Sequence, residues 1–498
     1  MNSFQKNFSL LFVLSATGYL LSFGNQLVVS YHFGTSVALD SYWALFAVAN
    51  FLLFYVQPLR EALVPPVFTA VAVNREPASA LFTAGLVLQV LLALLSMTLL
   101  LITPSNLLDR FGVHNSDSLG LWLGFLPFFI LFAMAETCNG LLLSFNQAVY
   151  QAVARLTSAM LGLVCLWMLA GHIGVLALIF SLLIAQVTTL LVSALGLYRE
   201  GIRWVWRGFD PLWQETRFKT VFSALLLNYL LAQAYVVFER FTMLSLQPGL
   251  VASFQYSVAL VNVLISLLAF PLSNLLWPRF LAQAAKEDTD AMLNAAARVV
   301  LPLVLVLLAC SCFAEKFSQE IVQLLFARGS FNEVSVAQTS HALRATVFAA
   351  IPVSLFTIYS RILFSQGRGR AIAAGGISIA LSGSGVVLLA GWLGSVTLVQ
   401  WHWAIGNTVG LLVILYVLLR STSDPMSHVR AAWALSWRAG IAVSGALWVT
   451  PEISPTNAIE EIFLGLILSL VVFSGSFSLL AYLMRVLHLP FRLGYRSC

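Results

Sequence analysis

The sequence predicts an all-α, polytopic membrane protein of about 14 transmembrane helices: two six-helix bundles related as a parallel pseudo-twofold repeat, plus two C-terminal helices. Three observations predict it. Of 498 residues, 60% are hydrophobic and only 9% are charged, where a soluble chain carries roughly a quarter charged residues. Apolar runs recur at about the 20 residues that a spanning helix needs. Basic residues gather on alternate loops, as topology signals do.

The runs lie near 8–31, 41–70, 79–103, 120–146, 152–171, 174–198, 218–244, 250–277, 298–316, 340–363, 371–391, 395–419, 432–450 and 458–486. The first follows a single lysine, Lys6, and lacks a small-residue cleavage site. It reads as a retained helix rather than a removed signal peptide. Gly18 and Gly24 loosen it, and Pro271 is placed to bend the eighth run. Between the sixth and seventh runs lies the longest polar stretch, REGIRWVWRGFDPLWQETRFK at 199–219. No loop is long enough for a separate soluble domain.

With the N-terminus inside, twenty basic residues fall on inside segments and three on outside ones: Arg110, Lys316 and Arg328. Arg60, Arg240 and Arg344 lie in or near spans. The asymmetry puts both termini in the cytoplasm. The net charge of +6 is spread singly or in short groups, which speaks against a nucleic-acid partner. Cys138, Cys165, Cys310, Cys312 and Cys498 show no metal-ligand spacing and read as structural. No metal site and no cofactor is expected.

PLREALVP at 58–65 and PLSNLLWP at 271–278 share Pro, Leu, Leu and Pro in register. A fainter echo puts Gly34 opposite Gly249 and Ala44 opposite Ala259. Both segments belong to the second span of a six-span group, so the groups share orientation, and such repeats put a site between halves. The expected divisions are an N-terminal bundle at 1–210, a second at 211–425, and two helices with a tail at 426–498.

FGTSVALDSYWALFAVANFL at 33–52 resembles the first-loop and second-helix signature of the MviN/MurJ lipid II flippases, in the exporter superfamily of polysaccharide flippases. LLFARGSFNEVSVAQTSHALRATVFAAIPVSLFTIYSRILFSQGR at 324–368 resembles that family's ninth loop and tenth helix. FQYSVALVNVLISLLAFPLSNLLWPRFLAQAAKED at 254–288 and LLLSFNQAVYQAVA at 141–154 resemble its eighth helix and the turn after its fourth. The likeness runs through nearly the whole chain in order. It implies a multi-pass transporter of the bacterial inner membrane, in cell-wall or polysaccharide biosynthesis. The cargo would be an undecaprenyl-diphosphate-linked saccharide, lipid II or an exopolysaccharide unit, moved to the periplasmic leaflet by alternating access. Membrane lipids and other envelope-biosynthesis proteins are the implied partners.

The departures are specific. Where lipid II carriers of the family hold arginines, this chain has Asn25, Leu53 and Ala259. The family's sodium-linked carboxylate corresponds at best to Glu239, and its partners in span eleven to Ser382 and Ser384. Asp40 and Asn50 keep the family's residues. Coupling to a monovalent cation or a proton stays open, with Glu136 and Glu239 as candidate carriers.

Ionisable groups inside spans are costly and mark a path by default. Asp40, just before SYWALF, reads as an N-cap of its own helix or as a gate pairing with a basic group on the other half. Glu239 and Arg240 are neighbours, about 100° apart on a helix, and read as cargo contacts, ion contacts or a structural pair. Arg60 and Glu61, inside the repeated motif, read as interfacial anchors or a gate meeting the diphosphate. Arg344 reads as a rim residue, Arg361 as an inside anchor, and His402 as a packed polar residue. The alternative function is a multidrug or cation antiporter of the same superfamily. Short outside loops without a P-loop or nucleophile motif argue against an enzyme.

Overall fold

The computed structural model describes residues 3–73, 75–102, 118–145, 147–284, 286 and 288–421. Among them every regular element is helical, one of the two architectures, with the closed barrel, that satisfy a backbone inside hydrocarbon. In chain order these are α1 (Ser3–Phe33), α2 (Val37–Leu52), α3 (Val56–Val73), α4 (Arg75–Ile102), α5 (Ser118–Gly124), α6 (Leu126–Leu141), α7 (Ala148–Ile173), α8 (Leu176–Arg199) and α9 (Asp210–Gln214). There follow α10 (Thr216–Leu246), α11 (Leu250–Ala284), α12 (Thr289–Lys316), α13 (Ser318–Phe326), α14 (Glu333–Thr346), α15 (Ala350–Ser365), α16 (Gly369–Leu393) and α17 (Val396–Leu419). Ser36, Asp288, Asn332 and Ser395 start α2, α12, α14 and α17, each side chain accepting an N–H three residues on.

Among the described residues ten helical stretches are long and apolar enough to cross a membrane, and the bent pair α2–α3 makes an eleventh. α1, 31 residues long, holds the place of the first expected span. The expected spans near 432–450 and 458–486, the division at 426–498 and Cys498 lie outside the described residues.

Among the described residues no helix is broken at Gly18, Gly24 or Pro271. α1 runs through Gly18 and Gly24, and α11 runs through Pro271. Instead the second span turns by 42° between α2 and α3. Two side chains of α4 meet carbonyls on either side of the break. Ser96 Oγ donates to Leu52 O at 2.8 Å and Gln89 Nε2 donates to Val56 O at 3.0 Å. A break in a spanning helix persists when neighbours re-satisfy the freed groups. Pro65 and Pro66 sit further along α3 without ending it. The tenth span is likewise jointed, by a 3-10 turn at Val347–Ala349 before Pro352, and Ser311 Oγ donates to Val347 O.

In the first group α1 packs on α7, α7 on α8, α8 on α6, and α4 on both α3 and α6. In the second, α10 packs on α16, α16 on α17, and α11 on α14 and α15. The groups meet where α10 lies along α2 and α3, and where α1 lies along α11. Leucines 95, 99, 191 and 388 are exposed, a coat suited to lipid rather than water. Named by the charge bias, the outer end gathers the α1–α2, α10–α11 and α13–α14 loops, and the inner end holds α9.

Candidate functional site: two polar clasps between the helix groups

At the outer end, Gly34 directly follows α1 and Gly249 directly precedes α11, and both have positive φ, 52° and 81°. Neither position admits a side chain. A Cβ on Gly249 would lie 2.8 Å from Thr35 O, and one on Gly34 would lie 2.5 Å from Ser330 O. Glycine thus supplies both the left-handed turn and the close approach.

This approach places Asp40. Its helix is capped by Ser36, one turn earlier, so Asp40 is not the cap of its own helix. The fully buried carboxylate reaches across to the other group and accepts two backbone N–H bonds, from Gly249 at 2.5 Å and Ala252 at 2.7 Å. It therefore caps α11, where a negative charge also meets the positive end of the helix dipole. No basic side chain forms an ion pair with it among the described residues. Around it, Tyr256 Oη donates to Gly34 O at 2.8 Å and Ser330 N donates to Tyr31 O at 2.8 Å. Thr35 Oγ1 and Ser335 Oγ are 2.9 Å apart.

A second clasp lies about 30 Å along α2 and α3 from Asp40, at 1.5 Å per residue, or roughly one hydrocarbon thickness. Arg60 Nη1 is 2.6 Å from Glu136 Oε2 of α6, which also accepts Gln57 Nε2 at 3.2 Å. Arg60 Nη2 is 3.5 Å from Glu61 Oε1. Glu61 Oε1 in turn accepts Tyr229 Oη of α10 at 3.0 Å. One guanidinium is thus shared by two carboxylates, and a tyrosine ties the set to the other group. Gly140 makes room, since a Cβ there would meet Arg60 Cγ and Cδ.

Glu239 and Arg240 are both buried within the second group. Their side chains are 3.5 Å apart, and His402 Nε2 of α17 approaches Glu239 Oε2 at 3.1 Å. Arg240 Nη2 donates to Gln255 Oε1 at 2.7 Å and its guanidinium lies 5.4 Å from the Phe254 ring centroid. His402, fully buried, also sets Nδ1 against Val399 O. An acid flanked by two bases needs little else to balance its charge. Ser382 Oγ donates to Ser378 O of its own helix at 2.6 Å. Among the described residues no group of three His, Cys, Asp or Glu could hold a metal ion.

Asn50 Nδ2 donates to Phe46 O of its own helix at 2.8 Å, and Leu53 is buried at the bend. Among the described residues, Asn25 Oδ1, Gln26 Oε1, Trp43 Nε1 and Ser273 Oγ are buried without a protein hydrogen-bond partner. Such atoms are rare in folded chains and are answered by water, an ion, a ligand or local strain. They lie on α1, α2 and α11, the helices that line the junction. Arg361 lies 5.0 Å from the Trp277 ring centroid. Arg344 is at the outer rim, its Nε donating to Ser318 Oγ at 2.9 Å. Sequence reasoning missed Tyr229, Tyr256 and Gln255, whose roles depend on which helix faces which. It passed over His402 as packing, although WHWAIGN lies on a span that meets α10.

A family model described as "Lipid II flippase MurJ" matches residues 29–468. The chain belongs to the MurJ lipid II flippase family. It is therefore a multi-pass membrane transporter, a flippase of lipid-linked saccharides. Among curated MurJ relatives, the probable lipid II flippase MurJ of Aquifex aeolicus (strain VF5) is 27% identical over 375 residues, covering 72% of each chain. That of Treponema pallidum (strain Nichols) is 22% identical over 384 residues, covering 73% of this chain and 71% of the other. The solved lipid II flippase MurJ in its inward closed conformation superimposes with TM-score 0.76 at 15% identity, over 96% of this chain and 99% of that one. An inward-facing multidrug MATE transporter reaches TM-score 0.65 at 16% identity, over 82% and 96%. The shared fold links MurJ to the exporters, and family membership separates them.

Proposed function

We propose that this MurJ-family protein moves a polyprenyl-diphosphate-linked saccharide from the inner to the outer leaflet of the bacterial cytoplasmic membrane by alternating access, without chemical change to the cargo. The carrying observation is the pair of clasps between the helix groups, Asp40 on α11 at one end and Glu61 on Tyr229 at the other. A carrier that seals both ends must release them in turn, and the two lie about one hydrocarbon thickness apart. The partnerless Asn25, Gln26, Trp43 and Ser273 lie on the helices between the clasps, where a polar head would pass.

Without family arginines at Asn25, Leu53 and Ala259, the diphosphate needs another cation. Arg60 suits this role on the inner side: it exchanges Glu61 or Glu136 for the diphosphate, which frees Tyr229 and opens that clasp. Arg240 is held by Glu239 and Gln255 and serves the second group's interior. Coupling falls to protons or a monovalent cation at Glu136 or Glu239, with His402 a further proton acceptor beside Glu239. Both termini face the cytoplasm, and the divisions follow 1–210 and 211–425. Lipid II and an exopolysaccharide unit share the diphosphate chemistry. A leaflet-accessibility assay of both labelled precursors, in cells with and without the protein, tests the reading. Unchanged exposure of every precursor refutes it.

A further inference from the structure

A cavity of about 310 Å³ opens in the second helix group, away from the junction, lined by Glu315, His341, Arg344, Phe348, Gln400 and Trp401 among others. That volume is at the low end of small-ligand sites, about 300–1,000 Å³. Its position is set by helix ends. Glu315 is next to last in α12, and Thr397, also lining it, is the second residue of α17. The cavity therefore sits where lipid headgroups lie, at the outer ends of the ninth, tenth and twelfth spans.

Its charges are unusual. Arg344 and Glu315 face the same space, yet among the described residues neither has an ion-pair partner within 4.0 Å, including each other. Arg344 is oriented through Nε on Ser318 Oγ at 2.9 Å, which leaves the outer edge of its guanidinium fork for an anion. The floor is firm: His341 Nδ1 and Gln400 Oε1 are 2.6 Å apart, and Phe348 stacks on Trp401 with centroids 5.7 Å apart. One cation and one anion held apart in a small aromatic-floored cavity complement a ligand carrying both charges.

We propose that this cavity binds the zwitterionic headgroup of a phosphoethanolamine lipid of the outer leaflet, its phosphate on Arg344 and its ammonium on Glu315. A purely anionic headgroup leaves Glu315 unanswered and repelled. A choline headgroup places methyl groups, not N–H donors, against the carboxylate. The site is a lipid site on the flank of one helix group, separate from the cargo path between the groups.

The test is native mass spectrometry of the full-length protein in detergent, titrated with palmitoyl-oleoyl phosphatidylethanolamine, phosphatidylglycerol or phosphatidylcholine. The wild type is expected to retain one phosphatidylethanolamine about tenfold more tightly than either other lipid, the size of one charge-assisted hydrogen bond. Arg344→Gln should weaken that lipid about tenfold. Glu315→Gln should abolish its advantage over phosphatidylglycerol. Arg328→Gln, an outer arginine absent from the cavity lining, should change nothing. Thr397→Trp, which fills the cavity and keeps both charges, should also abolish retention, and it covers the case of a misfolded charge variant. Equal retention of the three lipids by the wild type, or wild-type preference in Arg344→Gln and Glu315→Gln, overturns the proposal. The readout is lipid retention, so it stands or falls apart from the flippase reading.

Discussion

The carboxylate of Asp40 in α2 accepts the backbone N–H of Gly249, 2.5 Å away, at the start of α11. An N-cap is ordinarily a local device, set a few residues from the amides it serves. Here cap and helix belong to different helix groups, so under the proposed alternating access the bond would hold only while the outer end is closed. An interaction stabilising in one transport state and absent in the other would give a gate a preferred position.

Asp40→Ala should therefore shift the protein toward an outward-open state. Two hydrogen bonds to a buried charge are worth about 1.5–3 kcal/mol each, enough to change a closed-to-open ratio by an order of magnitude or more. A cysteine at Thr35 should label with an outside thiol reagent at least about tenfold faster in the Asp40→Ala background. Asp40→Asn keeps an acceptor and should fall between. Equal labelling rates in all three would remove Asp40 from the gate.

The same closure can be made covalent. Thr35 Oγ1 and Ser335 Oγ are 2.9 Å apart across the junction, so the two side chains point at each other as a crosslinked pair must. The Thr35→Cys, Ser335→Cys pair should crosslink on oxidation, stop transport, and recover with reductant. Transport that continues in the crosslinked protein would mean that the outer end need not open.

The inner clasp is asymmetric in composition and should respond differently. Tyr229→Phe deletes the hydrogen bond between the groups but leaves Arg60 paired with Glu61 and Glu136. A neutral bond is worth about 0.5–1.5 kcal/mol and one to a charged group about 1.5–3. Thiol access from the inner side should rise several-fold while Tm changes little. Glu136→Gln, by contrast, removes the carboxylate nearest Arg60 and should lower Tm as well. If Tyr229→Phe also lowers Tm as far as Glu136→Gln, the tyrosine is a packing residue and not a latch.

Much of this was legible in the sequence because hydrocarbon imposes its own grammar. Run length and loop charge marked the spans, and the turns at Gly34 and Gly249 stood opposite each other in the fainter part of the repeat. The positions of Asp40, Glu239 and Arg240 as costly buried groups were also readable, since polarity inside a span has few innocent explanations. Partners were not. Asp40 lies 209 residues from Gly249, and its bond is to backbone, which leaves no signature in residue type. The bend between α2 and α3 escaped notice because Ser96 and Gln89, which meet the carbonyls beside it, lie on α4 and resemble ordinary polar punctuation there.

The cluster of Glu239, Arg240 and His402 gives the last prediction. All three are buried, with Glu239 3.5 Å from Arg240 and 3.1 Å from His402. Removing one member of a buried ion pair costs about 3–5 kcal/mol because the other charge is left uncompensated. Glu239→Gln strands two bases and should lower Tm clearly. Arg240→Gln strands the acid less, since His402 remains beside it, and should lower Tm by a smaller amount. The Glu239→Gln, Arg240→Gln double variant should be more stable than the sum of the single losses predicts, by about 0.5–3 kcal/mol, the range for contacting residues. Adding His402→Asn to Glu239→Gln should likewise recover part of the loss. Thermal melts of the purified variants in one detergent decide it: strictly additive losses would show that the three groups do not balance one another's charge.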